Sequence, residues 1–105
     1  MKKTLLTKFF RFLLIFLFPG ALLAQTGTIT GNVVDANGDP LIGVNAVIQG
    51  TSNGTVTNID GNYTISELQL GQMNLEVSFI GYLTEIYSID LSKTPNVKQN
   101  VVLLE

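Results

Sequence analysis

The residues whose types and spacing could do chemistry are Asn58, Asp60 and Asn62, three oxygen-bearing side chains at alternate positions with Gly61 among them, in TVTNIDGNYTI. Calcium loops begin this way, because a hard divalent cation takes oxygen ligands from every second residue. The spacing then departs from such a loop. A calcium loop needs glycine at its sixth place and glutamate at its twelfth, and counted from Asn58 these places hold Tyr63 and Gln69. The same residues fit a tight β-turn, with Asp60 bonding to the backbone and Gly61 at positive φ.

No other constellation supports catalysis. Histidine, cysteine and tryptophan are absent, so Ser-His, Cys-His and zinc mechanisms have no groups to work with. Paired-carboxylate chemistry would draw on acids that mostly fall on outward strand positions, as Glu76 and Glu85 do, or in turns, as Asp35, Asp39, Asp60 and Asp90 do. Solvated faces and turn bonds explain these acids. The expectation is a protein without catalytic residues, cofactor or metal. Asn53-Gly54-Thr55 and Asn62-Tyr63-Thr64 match the glycosylation sequon, and both read as chance in a Thr/Asn-rich β protein.

Four of the six basic residues, Lys2, Lys3, Lys8 and Arg11, precede an apolar run from Phe12 to Ala24, and no acidic residue comes before Asp35. A basic start, an apolar stretch and a small residue before polar QTGT make a secretory signal peptide over residues 1–24, with cleavage between Ala24 and Gln25. The apolar run has 13 residues and contains Pro19 and Gly20; a membrane-spanning helix needs ~20.

Residues 25–105 then carry eight carboxylates, Asp35, Asp39, Asp60, Glu67, Glu76, Glu85, Asp90 and Glu105, against Lys93 and Lys98, a net charge of −6. Nucleic acid is excluded as a partner, since its binding needs Lys and Arg to replace phosphate counterions. With no disulfide available, apolar packing must hold the domain. At ~1.5 to 3 kcal/mol per buried aliphatic or aromatic side chain, about a dozen inward residues are needed against chain entropy.

The elements that position these residues follow a period of two. TITGNVV places Ile29, Gly31 and Val33 on one face, and DANGDP after it is a turn. GVNAVIQG places Val44, Ala46 and Ile48 inward. The short strand TVT and the strand NYTI flank the 58–61 turn, with Tyr63 and Ile65 on one face, and SELQLGQ is a connection around Gly71. MNLEVSF points Met73, Leu75, Val77 and Phe79 inward. After a bend at IGY come LTEIYSID, a loop containing Pro95, and a last strand VKQNVVLL. Seven short strands with turn signals between them predict an all-β fold, a seven-stranded antiparallel β-sandwich. Gly31 leaves room for a facing ring, and Gly81 suits the bend.

Taken in order, Gly31-x-Val33-x-Asp35, Pro40-Leu41-x-Gly43-Val44, Gly54-Thr55-x-Thr57-x-x-Asp60-Gly61-x-Tyr63 and Phe79-Ile80-Gly81-Tyr82 resemble the carboxypeptidase-regulatory-like domain. That family is transthyretin-like, and in Bacteroidetes it forms the N-terminal extension of TonB-dependent outer-membrane receptors of the SusC type. The resemblance covers about Thr28 to Leu104. It implies a transthyretin-like sandwich over residues 25–105 and an accessory, non-catalytic role at the periplasmic face of the outer membrane.

The resemblance also implies protein partners: a receptor plug and barrel, a SusD-like lipoprotein and the TonB system. A barrel of 22 strands at ~9 to 11 residues each needs over ~200 residues in strands alone. The chain is therefore read as the N-terminal part of such a receptor without plug and barrel, the alternative being a stand-alone soluble periplasmic binding module. Tyr82 and Tyr87 near one bend are candidate contacts for a partner, with Tyr82 read first as a core residue.

Overall fold

The computed structural model describes residues 25–105. The signal-peptide reading and Ala24 lie outside the described residues, and Gln25 is exposed at their start. Eight strands form two sheets: β1 (Gly27–Val34), β2 (Asn45–Ile48), β3 (Gly54–Val56), β4 (Asn62–Leu68), β5 (Gln72–Ser78), β6 (Glu85–Asp90), β7 (Asn96–Lys98) and β8 (Val101–Val102). No helix occurs among the described residues, and none there is long and apolar enough to cross a membrane.

One sheet has β1 at its centre, antiparallel to β4 and parallel to β7 and β8. The other runs β3-β2-β5-β6 and is antiparallel throughout. The expected last strand is present in two short pieces, and it runs parallel to β1. Strand direction is invisible to an alternation pattern, which is the same read either way. What sets it here is the crossover through Leu91–Pro95, which carries the chain from β6 in one sheet to β7 in the other. The break between β7 and β8 falls where the Asn100 Oδ1 accepts from Asn32 N at 3.0 Å, a side chain standing in for a backbone rung.

Alternation sets the faces as expected. Ile29, Val33, Val44, Ala46, Ile48, Tyr63, Ile65, Leu75 and Val77 are buried, joined by Leu68, Ile89, Leu91, Val101 and Leu103, and Met73 and Phe79 pack half-buried against them. Those fourteen buried side chains come from both sheets and meet the required dozen without a disulfide. β2 is shorter than the pattern suggested because Gly43 and Gly50 take positive φ, 81° and 78°, and turn the chain at both ends. β4 is longer, running on to Leu68. A register shift against β1 and a positive φ of 58° at Glu67 bulge it there, so that Glu67 is exposed and Leu68 buried.

Candidate functional site

The turn between β3 and β4 is closed by Gly61 N donating to Asn58 O at 2.9 Å and Asn58 N donating to Asn62 O at 3.0 Å. Asn58 Oδ1 also accepts from Asp60 N at 3.0 Å and Asn62 N at 2.9 Å. Asn58, not Asp60, is thus the side chain that ties the loop, while Gly61 takes the expected positive φ of 78°. Asn62 Oδ1 accepts from Asn32 Nδ2 at 2.9 Å. Two of the three oxygens that could have met a cation therefore already face N–H donors. Among the described residues no three His, Cys, Asp or Glu side chains come together.

Thr57, at the head of this turn, is a buried polar residue, 3% exposed. Its hydroxyl donates to Leu41 O at 2.6 Å and accepts from Val44 N at 3.0 Å, while its own N donates to Val44 O and its O accepts from Gly43 N, both at 3.0 Å. One side chain thereby bolts the segment from Leu41 to Val44 onto β3. Upstream of that segment, Asp35 Oδ1 accepts from Asn37 N at 2.9 Å and Asp39 N at 3.0 Å, the Asx geometry that DANGDP predicts. Pro40 forms an isolated bridge with Val34, and Leu41 N donates to Val33 O at 3.0 Å.

On β4, Tyr63 lies over Gly31 and its hydroxyl donates to Gln99 O at 2.6 Å, across the break between β7 and β8. Gly31 is needed for close approach: a Cβ there would stand 1.9 Å from Gln99 O and 2.7 Å from the Tyr63 ring. Burial, then the neighbouring Tyr87, pushes the Tyr63 phenol up from 10.0 to about 12. In the unfolded chain it ionises near 10, so from pH 10 to 12 the unfolded state loses its proton first and stability falls; below 10 the phenol contributes no slope.

We expect Tyr63→Phe to lose about 1 kcal/mol near neutral pH through the missing hydrogen bond. Between pH 10 and 12 that deficit shrinks, because the wild type gives up at most about 2 kcal/mol there and the variant has no Tyr63 phenol to ionise. Urea midpoints of the two proteins at pH 8, 10 and 11.5 check this; parallel curves across that range refute it.

At the bend after β5, Tyr82 N donates to Phe79 O at 3.1 Å, Gly81 has φ 86°, and the Phe79 and Tyr82 rings sit 5.8 Å apart at 33°. Tyr82 and Tyr87 both pack half-buried against the core. Tyr82 thus lies at the margin of the core, not within it. Ile80 on the outside of the bend is 91% exposed.

The topology gathers most of the motif at one end of the sandwich. Val33 N donates to Gly61 O at 2.8 Å, Pro40 lies against Gly61, and the Phe79 ring reaches Gly43. Gly54 sits apart, as the first residue of β3. Reading the sequence missed Asn32 and Asn100, which lace β1 to the turn and to β8: Asn32 Nδ2 also donates to Asp60 O at 2.9 Å. An asparagine on an outward strand position carries no pattern that would have marked it. At the other end, an open groove of about 640 Å³ is lined by Gln49, Asn53, Glu67, Gln69 and Asn74 with Ile48 and Leu68. Nothing in it pairs a nucleophile with a base.

A two-sheet sandwich whose motif residues build its corner is thus a β-sandwich module. The chain belongs to the CarboxypepD_reg-like domain family, whose model matches residues 29–105. It is 38% identical over 82 residues, 78% of this chain, to the TonB-dependent receptor SusC of Bacteroides thetaiotaomicron, and 46% identical over 57 residues, 54% of this chain, to a TonB-dependent receptor of Formosa agariphila. The chain spans only 8% and 5% of the lengths of those relatives. Among solved structures it is similar to a chain of a type II cohesin–X-dockerin complex from Acetivibrio cellulolyticus, with a TM-score of 0.62 and 19% identity over 73% of this chain and 56% of that one. That likeness is one of fold.

Proposed function

We propose that the chain is a non-catalytic accessory domain of a SusC-like TonB-dependent receptor, exported by its first 24 residues and working at the periplasmic face of the outer membrane. The observation that carries this reading is the 38% identity to the receptor SusC across 78% of the chain. It is supported by motif side chains engaged in turns and corners, which leaves chemistry to other parts of a receptor. In this reading the domain's contacts are with proteins: the plug and barrel of the receptor, a SusD-like lipoprotein and the TonB system. Its charge suits that setting, since a net −6 over residues 25–105 repels nucleic acid and keeps the surface soluble.

Cell fractionation tests the proposal. The chain should sediment with outer membranes and resist protease added to intact cells. It should be cut once the outer membrane is permeabilised, and mass spectrometry should find its first residue at Gln25. A cytoplasmic chain that retains Met1–Ala24 would overturn the proposal.

A further inference from the structure

The two sheets have four edges, and three of them carry devices that discourage another strand from pairing. β3 is three residues long; β7 and β8 have three and two, with Pro95 just before them and Lys98 exposed. β4 is bulged at Glu67 and has β3 beside it. β6 has no bulge, proline or lysine, and its charges stand only at its two ends, Glu85 and Asp90. Its six residues, Glu85–Asp90, contain no Pro, Gly or Lys, and they pair with β5 without a register shift.

The backbone of β6 is also aimed outward at known residues. Leu91 N donates to Gly71 O at 2.8 Å, and bonded pairs alternate along an antiparallel ladder. Glu85, Tyr87 and Ile89 therefore bond to β5, while Ile86, Ser88 and Asp90 turn their N–H and C=O groups away from it. Asn74, the partner of Ser88, supports this assignment: its O accepts from Gln49 N of the segment after β2, on the far side of β5. On the outer face of β6 stand Ile86, 54% exposed, and Ser88, with Glu76 one strand further in on β5, opposite Ile86; on the inner face Glu85 stands beside a half-buried Tyr87. Asp90 is engaged with Ser92.

We infer that the free edge of β6 receives an extended segment of a partner protein, a strand with alternating apolar and basic side chains that completes the β3-β2-β5-β6 sheet. Main-chain bonds to Ile86, Ser88 and Asp90 supply the attachment, and alternate side chains supply the choice. The apolar row covers Tyr87 on the inner face, and on the outer face a long basic side chain reaches past Ile86 to Glu76. A second copy of this chain fits less well, because each copy carries −6 over residues 25–105 and the two would repel. The inference rests on the accessory-domain reading and names the surface through which it would act.

The test uses the purified chain and a synthetic heptapeptide alternating valine and lysine, with a valine–glutamate heptapeptide as its control. Saturating valine–lysine peptide should slow amide exchange at Ile86, Ser88 and Asp90 at least ~10-fold, as a new backbone bond protects them, and leave Gly54 and Val56 on β3 unchanged. Ser88→Pro removes one outward N–H and the side-chain bond from Gln72 Nε2 to Ser88 Oγ, and leaves the backbone ladder to β5 in place. It should weaken peptide binding ~10-fold, the equivalent of one hydrogen bond. Should that variant fail to fold, Ile86→Lys keeps every backbone group and should weaken the basic peptide by a similar factor. Equal binding of the acidic peptide, protection at β3 instead, or full affinity in the folded variants would overturn the inference. Localisation is read separately. A chain at the outer membrane whose β6 edge ignores the peptide overturns the edge and leaves the accessory role standing.

Discussion

Gly31→Ala should lower the melting temperature by ~12 to 24 °C, the shift that about 3 kcal/mol produces in a domain of this size. The added Cβ would lie 1.9 Å from Gln99 O, a backbone atom, and 2.7 Å from both Cε1 and the hydroxyl of Tyr63. A flexible side chain could swing aside, but here the main obstacle is the main chain itself. Relief requires lifting the Gln99 corner away from β1, which breaks the bond from Gln99 N to Thr30 O and the bond from the Tyr63 hydroxyl to Gln99 O, 2.7 and 2.6 Å long. The flanking strands move with that corner, and they carry the buried Val101 and the half-buried Val97. Thr30→Ala, one residue away on the outer face, should stay within ~0.5 kcal/mol of wild type. Thermal unfolding followed by circular dichroism decides it, and a Gly31→Ala melting point within ~2 °C of wild type would refute the steric account.

Thr57 carries the second large effect. Thr57→Val keeps the shape and adds hydrophobicity, yet it should cost about 2 to 4 kcal/mol, because Val44 N and Leu41 O each lose the hydroxyl they bond. Val44 is fully buried, so water cannot replace that hydroxyl for its N–H. Thr57→Ser keeps the hydroxyl and drops one methyl group, at about 1 kcal/mol. The more polar substitution should therefore be the more stable one, the reverse of what a hydrophobicity ranking gives. Guanidinium midpoints of both variants measure the order. If valine proves as stable as threonine, the hydroxyl is not the bolt that the geometry makes it.

Both effects concern positions that stand out in the sequence, but for reasons the sequence does not state. Gly31 reads as space for a ring; that the ring is Tyr63, and that a backbone carbonyl crowds the same space, depends on a strand from the far end of the chain. Thr57 stands out by its spacing to Asp60, Gly61 and Tyr63, and nothing in that spacing says it would reach back sixteen residues to Leu41 O. The turn at Asn58–Gly61 was legible as a turn, because glycine's freedom and asparagine's short polar arm act within four residues. Which of the two neighbouring side chains, Asn58 or Asp60, would close it was not, since either can reach a backbone N–H two residues on.

By itself the sequence determined the inward and outward faces, the turn positions and the all-β class, because alternation, Gly and Asn act locally along the chain. It also showed that histidine, cysteine and tryptophan are absent from the sequence. The tertiary structure decided the rest: that the last strand lies parallel to β1 and is broken at Gln99–Asn100, that Asn32 laces three segments together, and that among the described residues β6 forms a sheet edge without bulge, proline or lysine. Those features depend on which strands become neighbours, and pairing between residues more than sixty positions apart, such as Asn32 and Asn100, leaves no periodic mark in either partner.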